Sequence, residues 1–337
     1  MKYPHLEDLE ELLSKKLISC RPHPSLPLKV YNYTASAQAL KIEEWTPALM
    51  DCRGLILDED GEVVGRPFRK FWNYEQVLDQ IPSDLPFTVW EKLDGSLGIV
   101  CNYRGHLVVA TRGSFESDQA RFADDWLRKN FDGIFSWVPI QGLTYLFEII
   151  YPENRIVVDY GETRELRLLA VMEADGTESL ATFYAENRFP KARGYPPNVL
   201  NDALELCMEE EGKEGYVVRW ANGFRAKVKF EEYKRLHRLI TQVSTRTIWE
   251  MLRAGENEKL EECLNRVPED FKEWVTGIRD QLNRQHQEIC DIAYFDFLGR
   301  PAMGTKKEFA AWALAKMYPH VLFAIHDKKP LVDMVWQ

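Results

Sequence analysis

No two cysteines in this 337-residue chain are spaced as a CxxC pair. The six present (Cys20, Cys52, Cys101, Cys207, Cys263 and Cys290) are scattered, which argues against a zinc site or a disulfide framework and favours a reduced, cytoplasmic setting. No apolar run approaches the length of a membrane span, and Met1 to Lys15 reads as acidic and amphipathic, unlike a leader. A GxxxxGK[ST] loop is absent, so P-loop phosphotransfer is excluded. Internal repeats, low-complexity stretches and long linkers are absent as well. Positive charge is in deficit: the net charge of −10 excludes a protein that coats nucleic acid nonspecifically.

What is present is an ordinary globular composition, 45% hydrophobic and 28% charged, in a chain long enough for two domains. The acid is concentrated in Glu7–Glu11, Glu209–Glu211 and Glu256–Glu262, which suit solvated helices. Basic residues gather in Arg66–Lys70 and Arg225–Arg238. Basic strips in an acidic protein suit a site for a polyphosphate and a short stretch of backbone.

Leu6, Leu9, Leu13 and Leu17 recur at helical spacing and predict an opening amphipathic helix. From about Lys29 to Phe230 the pattern is of strands, with turns at Asp60-Gly61, Arg104-Gly105, Asp175-Gly176 and Asn222-Gly223. Helices interrupt at about Asp118–Lys129 and Leu200–Glu211. After about Tyr233 the strands stop. Phe271, Trp274, Val275, Ile278 and Leu282 share one helical face, and Thr305-Lys-Lys-Glu308 is a capping box whose helix Pro319 ends. The expectation is an α+β fold of antiparallel sheets over residues 1–240, then a small all-α C-terminal domain over 241–337.

The sharpest chemical feature is Lys92-Leu-Asp94-Gly95-Ser96, following the strand Phe87–Glu91. A lysine on a tight glycine turn at a strand end is held out toward a pocket; a hairpin turn with a solvated lysine is the plain alternative. Three later stretches follow it in order: Leu146-Phe-Glu148-Ile-Ile, Glu214-Gly-Tyr-Val217-Val and Lys227-Val-Lys229. Together these resemble the motifs of the covalent nucleotidyltransferases, the ATP-dependent DNA and RNA ligases and the mRNA capping enzymes. The resemblance implies that Lys92 is the nucleophile. An amine of ordinary pKa, about 10.4, is protonated at neutral pH, so burial and nearby positive charge must lower it. Lys227, Lys229 and a magnesium (or manganese) ion would supply that field. Lys229 would also neutralise the α-phosphate as charge builds there. Asp94 and Glu214 are hard oxygen ligands suited to that metal. Glu148 would accept from the ribose hydroxyl, and Val217 would cover the adenine. Taken singly, Glu148 has a plainer reading as a salt-bridge partner, Val217 as core, and Lys227 and Lys229 as a solvated strand face; jointly these do not explain why every motif position holds the expected residue type.

Upstream, Val30-Tyr31-Asn32-Tyr33, Cys52-Arg53-Gly54, Arg66-Pro67 and Lys70-Phe71-Trp72-Asn73 resemble the RNA ligase 1 family of T-even phages. That resemblance, which covers about residues 28–240, implies that Tyr31, Arg53 and Lys70 engage the ATP triphosphate, with Glu91, Gly95 and Tyr233 also in the ATP site. Pro152-Glu-Asn154-Arg155-Ile-Val is another signature of that family. Arg112 stands where the family has lysine before Gly-Ser and would bind phosphate with fork geometry. Glu258 is the counterpart of an acidic residue that helps hold the metal there, through water. The implied activity is ATP-dependent sealing of 5′-phosphate and 3′-hydroxyl RNA ends by a monomer, in RNA repair and, by analogy, on cleaved tRNA. A separate kinase or phosphatase would heal the ends. DNA ligases and capping enzymes carry a β-barrel after the last motif, where this chain reads helical. A non-catalytic RNA-binding protein of the same fold is the remaining alternative, against which the intact lysine and carboxylates argue.

Overall fold

Period-two alternation builds the first part of the chain and a 3.6-residue period the last. In the computed structural model, which describes residues 1–131, 137–205, 212–231, 233–234, 245–264, 269–329, 331 and 335, contacts divide the chain into Met1–Lys234 and Arg235–Gln337. The first unit opens with helix α1 (Asp8–Ser14), then β1 (Ile18–Pro22) and β2 (Leu28–Tyr33). The leucine spacing needs a correction here. Leu9 and Leu12 are the buried pair, Leu13 is exposed, and Lys16 at φ 57° ends the turn before Leu17.

Two short helices, α2 (Ala35–Gln38) and α3 (Pro47–Asp51), are capped by the hydroxyls of Thr34 and Thr46. They lead to β3 (Arg53–Asp58) and β4 (Val63–Gly65), which the Asp60-Gly61 turn joins. Strands β1 to β4 form one antiparallel sheet in chain order. Next come β5 (Trp72–Asn73), β6 (Phe87–Lys92), β7 (Ser96–Tyr103) and β8 (His106–Thr111). Arg104 and Gly105, at φ 52° and 87°, make the β7–β8 hairpin turn with both central residues left-handed.

The step from β6 to β7 is different. The two strands belong to different sheets, so Leu93-Asp94-Gly95 crosses from one sheet to the other and is not the tight turn expected. Amphipathic helix α4 (Asp118–Phe131) buries Ala120, Ala123 and Leu127. Strand β9 (Leu143–Ile150) follows, nearly all apolar because both its faces are covered: Tyr145, Phe147 and Ile149 pack in one cluster and Leu146 in another. Only Thr144 and Glu148 break the run. With β10 (Glu165–Glu173) it completes a sheet of order β10-β9-β7-β8. Leu28, Val30 and Ile56 of the first sheet pack on Ile99, Leu146 and Met172 of this one. Each such buried side chain contributes about 1.5–3 kcal/mol.

A short helix α5 (Ala181–Ala185), β11 (Gly194–Tyr195), α6 (Asn198–Glu205), β12 (Gly215–Trp220) and β13 (Arg225–Lys229) complete the unit. The third sheet runs β11-β6-β12-β13-β5, antiparallel except for β13–β5.

The described residues of the second unit form α7 (Thr245–Arg253), α8 (Asn257–Leu264), α9 (Glu269–Leu298), α10 (Lys306–Leu314) and α11 (Pro319–His326). Ile248, Leu252, Leu260 and Val275 make one core, and Ala293, Phe309, Val321 and Leu322 another. Thr305 caps α10 by accepting from the Glu308 amide, while the Glu308 carboxylate turns back to Gly304 N–H. Pro319 opens α11 at its first turn; it does not end the preceding helix, as expected from sequence. The side chains of Phe271 and Trp274, the acidic run Glu209–Glu211, and Arg235–Arg238 lie outside the described residues. No described helix is long and apolar enough to cross a membrane.

Candidate active site

Strands β6, β12 and β13 lie side by side, and their register aligns the reactive residues. Gly215 pairs with Lys92 on one side and Lys229 on the other. Residues directly opposite in a sheet project to the same face. The two lysines thus flank a position without a side chain. Gly215 sits at φ 143°, and a Cβ there would run into the Val228 carbonyl. Into that gap comes the carboxylate of Glu214, 3% exposed. It accepts from Lys92 Nζ at 2.6 Å with one oxygen, and its other oxygen lies 2.9 Å from Lys229 Nζ. One step along the same face, Val217 stands between Trp90 and Lys227. The opposite face carries Val89, Tyr216, Val218, Ala226 and Val228, all buried, so period two sorts the site from the core except at Glu91, which pairs with Tyr216.

The crossing segment after Lys92 is bound on every side. Asp94 accepts from the amides of Val157 and Val158, both at 2.8 Å, and from the Tyr233 hydroxyl at 2.7 Å. Its own amide donates to Tyr160 Oη at 2.9 Å. Gly95 N–H donates to Glu148 at 2.9 Å, and a Cβ on Gly95 would meet the Ile149 carbonyl at 2.5 Å. Ser96 Oγ donates to Asn154 Oδ1 at 3.0 Å, and Asn154 in turn donates to the Ile149 carbonyl. The segment Pro152–Tyr160 is therefore a clasp around the residues that follow the nucleophile.

All three sheets contribute to the wall of a cleft of about 250 Å³ that Lys92, Glu91, Arg53, Lys70, Arg112, Glu148, Val217, Lys227 and Lys229 all line. Leu97, Leu168 and Leu169 join Val217 in supplying apolar wall. Tyr31 is a correction: it lies in the core, paired across to Cys20 of β1, and Tyr33, two residues on, lines the cleft. Arg112 donates to the Tyr33 hydroxyl at 3.0 Å. Lys70 is caged by three rings, with Nζ 4.5 Å from the Trp72 centroid, 4.8 Å from Trp45 and 5.2 Å from Tyr33. Sequence reasoning missed Trp45, which no local pattern marks, and Tyr160, which lies 66 residues from its partner.

Charge sorts the cleft into two parts. Lys92 and Lys229 share a carboxylate, whereas no ion pair to a described residue holds Arg53, Lys70, Arg112 or Lys227. The Nη1 of Arg53 is buried without a hydrogen-bond partner. Burial, and then the charges of Lys229, Lys92, Lys70 and Arg53, push Lys227 down to about 7. Burial likewise lowers Lys70, helped by Arg53 and Arg112. Burial pushes the Glu148 carboxyl up to about 7, against the pull of Lys92 and with Glu214 adding to the rise. Burial, with Glu214 and Asp94 beside it, raises Tyr233 far above the usual phenol range, so it stays a donor.

None of the three acids expected to hold a metal lines this cleft; Glu214 comes nearest, behind Lys92 and Lys229, which do. Asp94 spends both oxygens on the chain itself, which suits a structural anchor better than a metal ligand. Glu258 is exposed on α8 in the second unit. Among the described residues no group of three or more His, Cys, Asp or Glu gathers as a metal cage. Glu214, whose two oxygens are paired with Lys92 and Lys229, would hold a cation once one of those lysines is released, with water and substrate oxygens completing the shell.

Comparison with known proteins gives this arrangement a context. A family model described as RNA ligase matches residues 51–234. A protein of Autographa californica nuclear polyhedrosis virus named "Putative bifunctional polynucleotide kinase/RNA ligase" is 26% identical over 260 residues, which cover 68% of this chain and 36% of that protein. A "Putative RNA ligase" of Thermovibrio ammonificans is 29% identical over 268 residues, 73% of this chain and 67% of that one. The chain thus spans about a third of the viral relative and two thirds of the bacterial one. An archaeal ATP-dependent RNA ligase of known structure superposes with a TM-score of 0.50 at 14% identity, covering 82% of this chain and 75% of that chain, a likeness of fold.

Proposed function

We propose, from the premise that the chain belongs to the RNA ligase family, that it seals a 5′-phosphate to a 3′-hydroxyl of RNA with ATP, carrying AMP on Lys92. The observation that supports this most is the row Lys92–Gly215–Lys229, closed on Glu214, beside a cleft whose Arg53, Lys70, Arg112 and Lys227 have no acidic partner among the described residues. Arg53, Lys70, Arg112 and Lys227 are the groups to receive a triphosphate. Val217, Leu97 and Leu168 offer apolar cover for adenine, and Glu148 an acceptor for a ribose hydroxyl.

In the first step the Lys92 ammonium gives up a proton, for which Glu214 at 2.6 Å is the acceptor at hand. The freed lone pair attacks the α-phosphorus, the P–N bond forms, and the P–O bond to pyrophosphate breaks. Lys229, still charged, faces the oxygen that gains charge. An RNA 5′-phosphate oxygen then displaces Lys92 from the adenylyl phosphorus. Last, the 3′-hydroxyl attacks the 5′-phosphorus, AMP leaves, and the strands are joined. A magnesium or manganese ion, held by Glu214 together with phosphate and water, would neutralise charge on those phosphates. The helical region, 241–337 by the sequence reading, would choose the RNA.

Radiolabelled ATP followed by a denaturing gel tests the reading. A covalent band with ATP but not GTP is expected; no band from either would leave a binding module of the same fold.

A further inference from the structure

The segment 180–195 carries more exposed apolar surface than its surroundings and is not used by the site above. Leu180 is 87% exposed, Phe183 70% and Tyr184 72%. The opposite side of α5 is fixed: Ala185 is buried, and the Thr182 hydroxyl accepts from the Val171 amide at 2.8 Å. The ledge is thus a rigid projection. Phe183 and Tyr184 sit edge to face with centroids 6.0 Å apart.

Its charge also departs from the rest of the chain. Against a net −10 overall, residues 180–195 hold Arg188, Lys191 and Arg193 and the single acid Glu186. Lys191 is spent on Glu186 at 2.7 Å, while Arg188 and Arg193 are exposed. The Arg193 guanidinium lies over the Tyr195 ring at 5.1 Å.

The position matters most. Thr182, Glu186 and Lys191 line the cleft, so one side of α5 is its wall and the aromatic side is its rim. The two faces are one helix diameter apart, about 10 Å. At the far end of the segment the Arg193 carbonyl accepts from the Glu91 amide at 2.7 Å, next to Lys92.

We infer that this rim, Phe183 and Tyr184 with Arg188 and Arg193, seats a single-stranded RNA end beside the cleft. Bases stack on the two rings and the backbone meets the two guanidiniums. Exposed π-faces with unspent cations are what a strand without fixed sequence requires. A protein partner would use the apolar surface but not the two arginines. The inference rests on the ligase reading for the reason an RNA end belongs there, yet its test does not.

The test measures binding of a fluorescent oligoadenylate RNA to the full chain by anisotropy, and radiolabelling of Lys92 in parallel. Phe183→Ala with Tyr184→Ala is expected to weaken RNA binding about 10- to 100-fold, with Phe183→Trp close to the parent. Arg188→Glu with Arg193→Glu should weaken it too and flatten its salt dependence. Lys92 labelling should be unchanged in all of them, since none of these residues lines the cleft. Binding within about twofold of the parent in both double variants would overturn the inference. So would a parent that fails to bind the RNA. Absence of labelling in parent and variants alike would instead count against the ligase reading, and the binding comparison would still decide the rim.

Discussion

The cleft handles positive charge in two opposite ways. At Lys92 and Lys229 two cations share the one carboxylate of Glu214, so half of that charge is offset at rest and something must be released before an amine can attack. At Arg53, Lys70, Arg112 and Lys227 no acid from the described residues compensates the charge. There the fold tolerates cations that are half-buried at Arg53, Lys70 and Lys227 and exposed at Arg112, which an arriving polyanion would relieve. Unpaired buried charge is expensive, and here it is eased by aromatic faces: three around Lys70, and Phe71 near both Arg53 and Lys227. The lesson is that the same residue type is reactive or receptive according to whether a carboxylate stands beside it.

The comparison breaks hardest at Lys92. Lys92→Ala should abolish AMP attachment on a denaturing gel, while a strand supplied already adenylated is still sealed. Labelling of that variant at the parent rate would remove the nucleophile from the account. Lys229→Ala should slow adenylylation by about 10²–10³, the usual loss for one preorganised group, with an unchanged circular dichroism spectrum. On the receptive side, Trp72→Leu should leave Lys70 in place but less well held. Losing one cation–π face, roughly 0.5–2 kcal/mol, predicts an ATP KM raised about 2- to 30-fold with kcat little changed. An equal fall in kcat would place Lys70 in the reacting row instead.

The smallest effect is a matter of protons. With Lys227 held near 7, the free protein has it largely neutral at pH 8, and an arriving polyanion favours its ammonium. ATP binding at pH 8 should therefore take up a fraction of a proton, and affinity should fall as pH rises through 7. Titration calorimetry in buffers of different ionisation enthalpy reads this directly. Lys227→Arg, which stays charged throughout, should abolish the uptake.

Much of this was legible from sequence because it is local. Arg104-Gly105 and Asn222-Gly223 fix hairpins by their own backbone preferences. Lys227 and Lys229 share a face by spacing alone. What was not legible depends on distant partners. Tyr31 and Tyr33 are indistinguishable by period, and only where the end of β2 meets Arg112 separates them. Asp94 looked like a metal ligand because a carboxylate beside a nucleophile suggests one. Its three donors lie more than 60 residues away, at Val157, Val158 and Tyr233. The crossing between sheets could not be told from a hairpin, since Leu93-Asp94-Gly95 has turn composition either way.

The hydrogen bond from Tyr233 to Asp94 sets a limit on how the protein can be dissected. All the lysines and carboxylates of the cleft precede residue 230, so a fragment ending there would seem to contain the whole site. It would lack the one hydroxyl that reaches back across 139 positions to brace the loop after Lys92. It would also lack the ring over which Lys229 lies at 4.8 Å. A minimal version of this molecule is thus bounded by a phenol, four residues beyond its last charged cleft residue, and not by the end of its last strand.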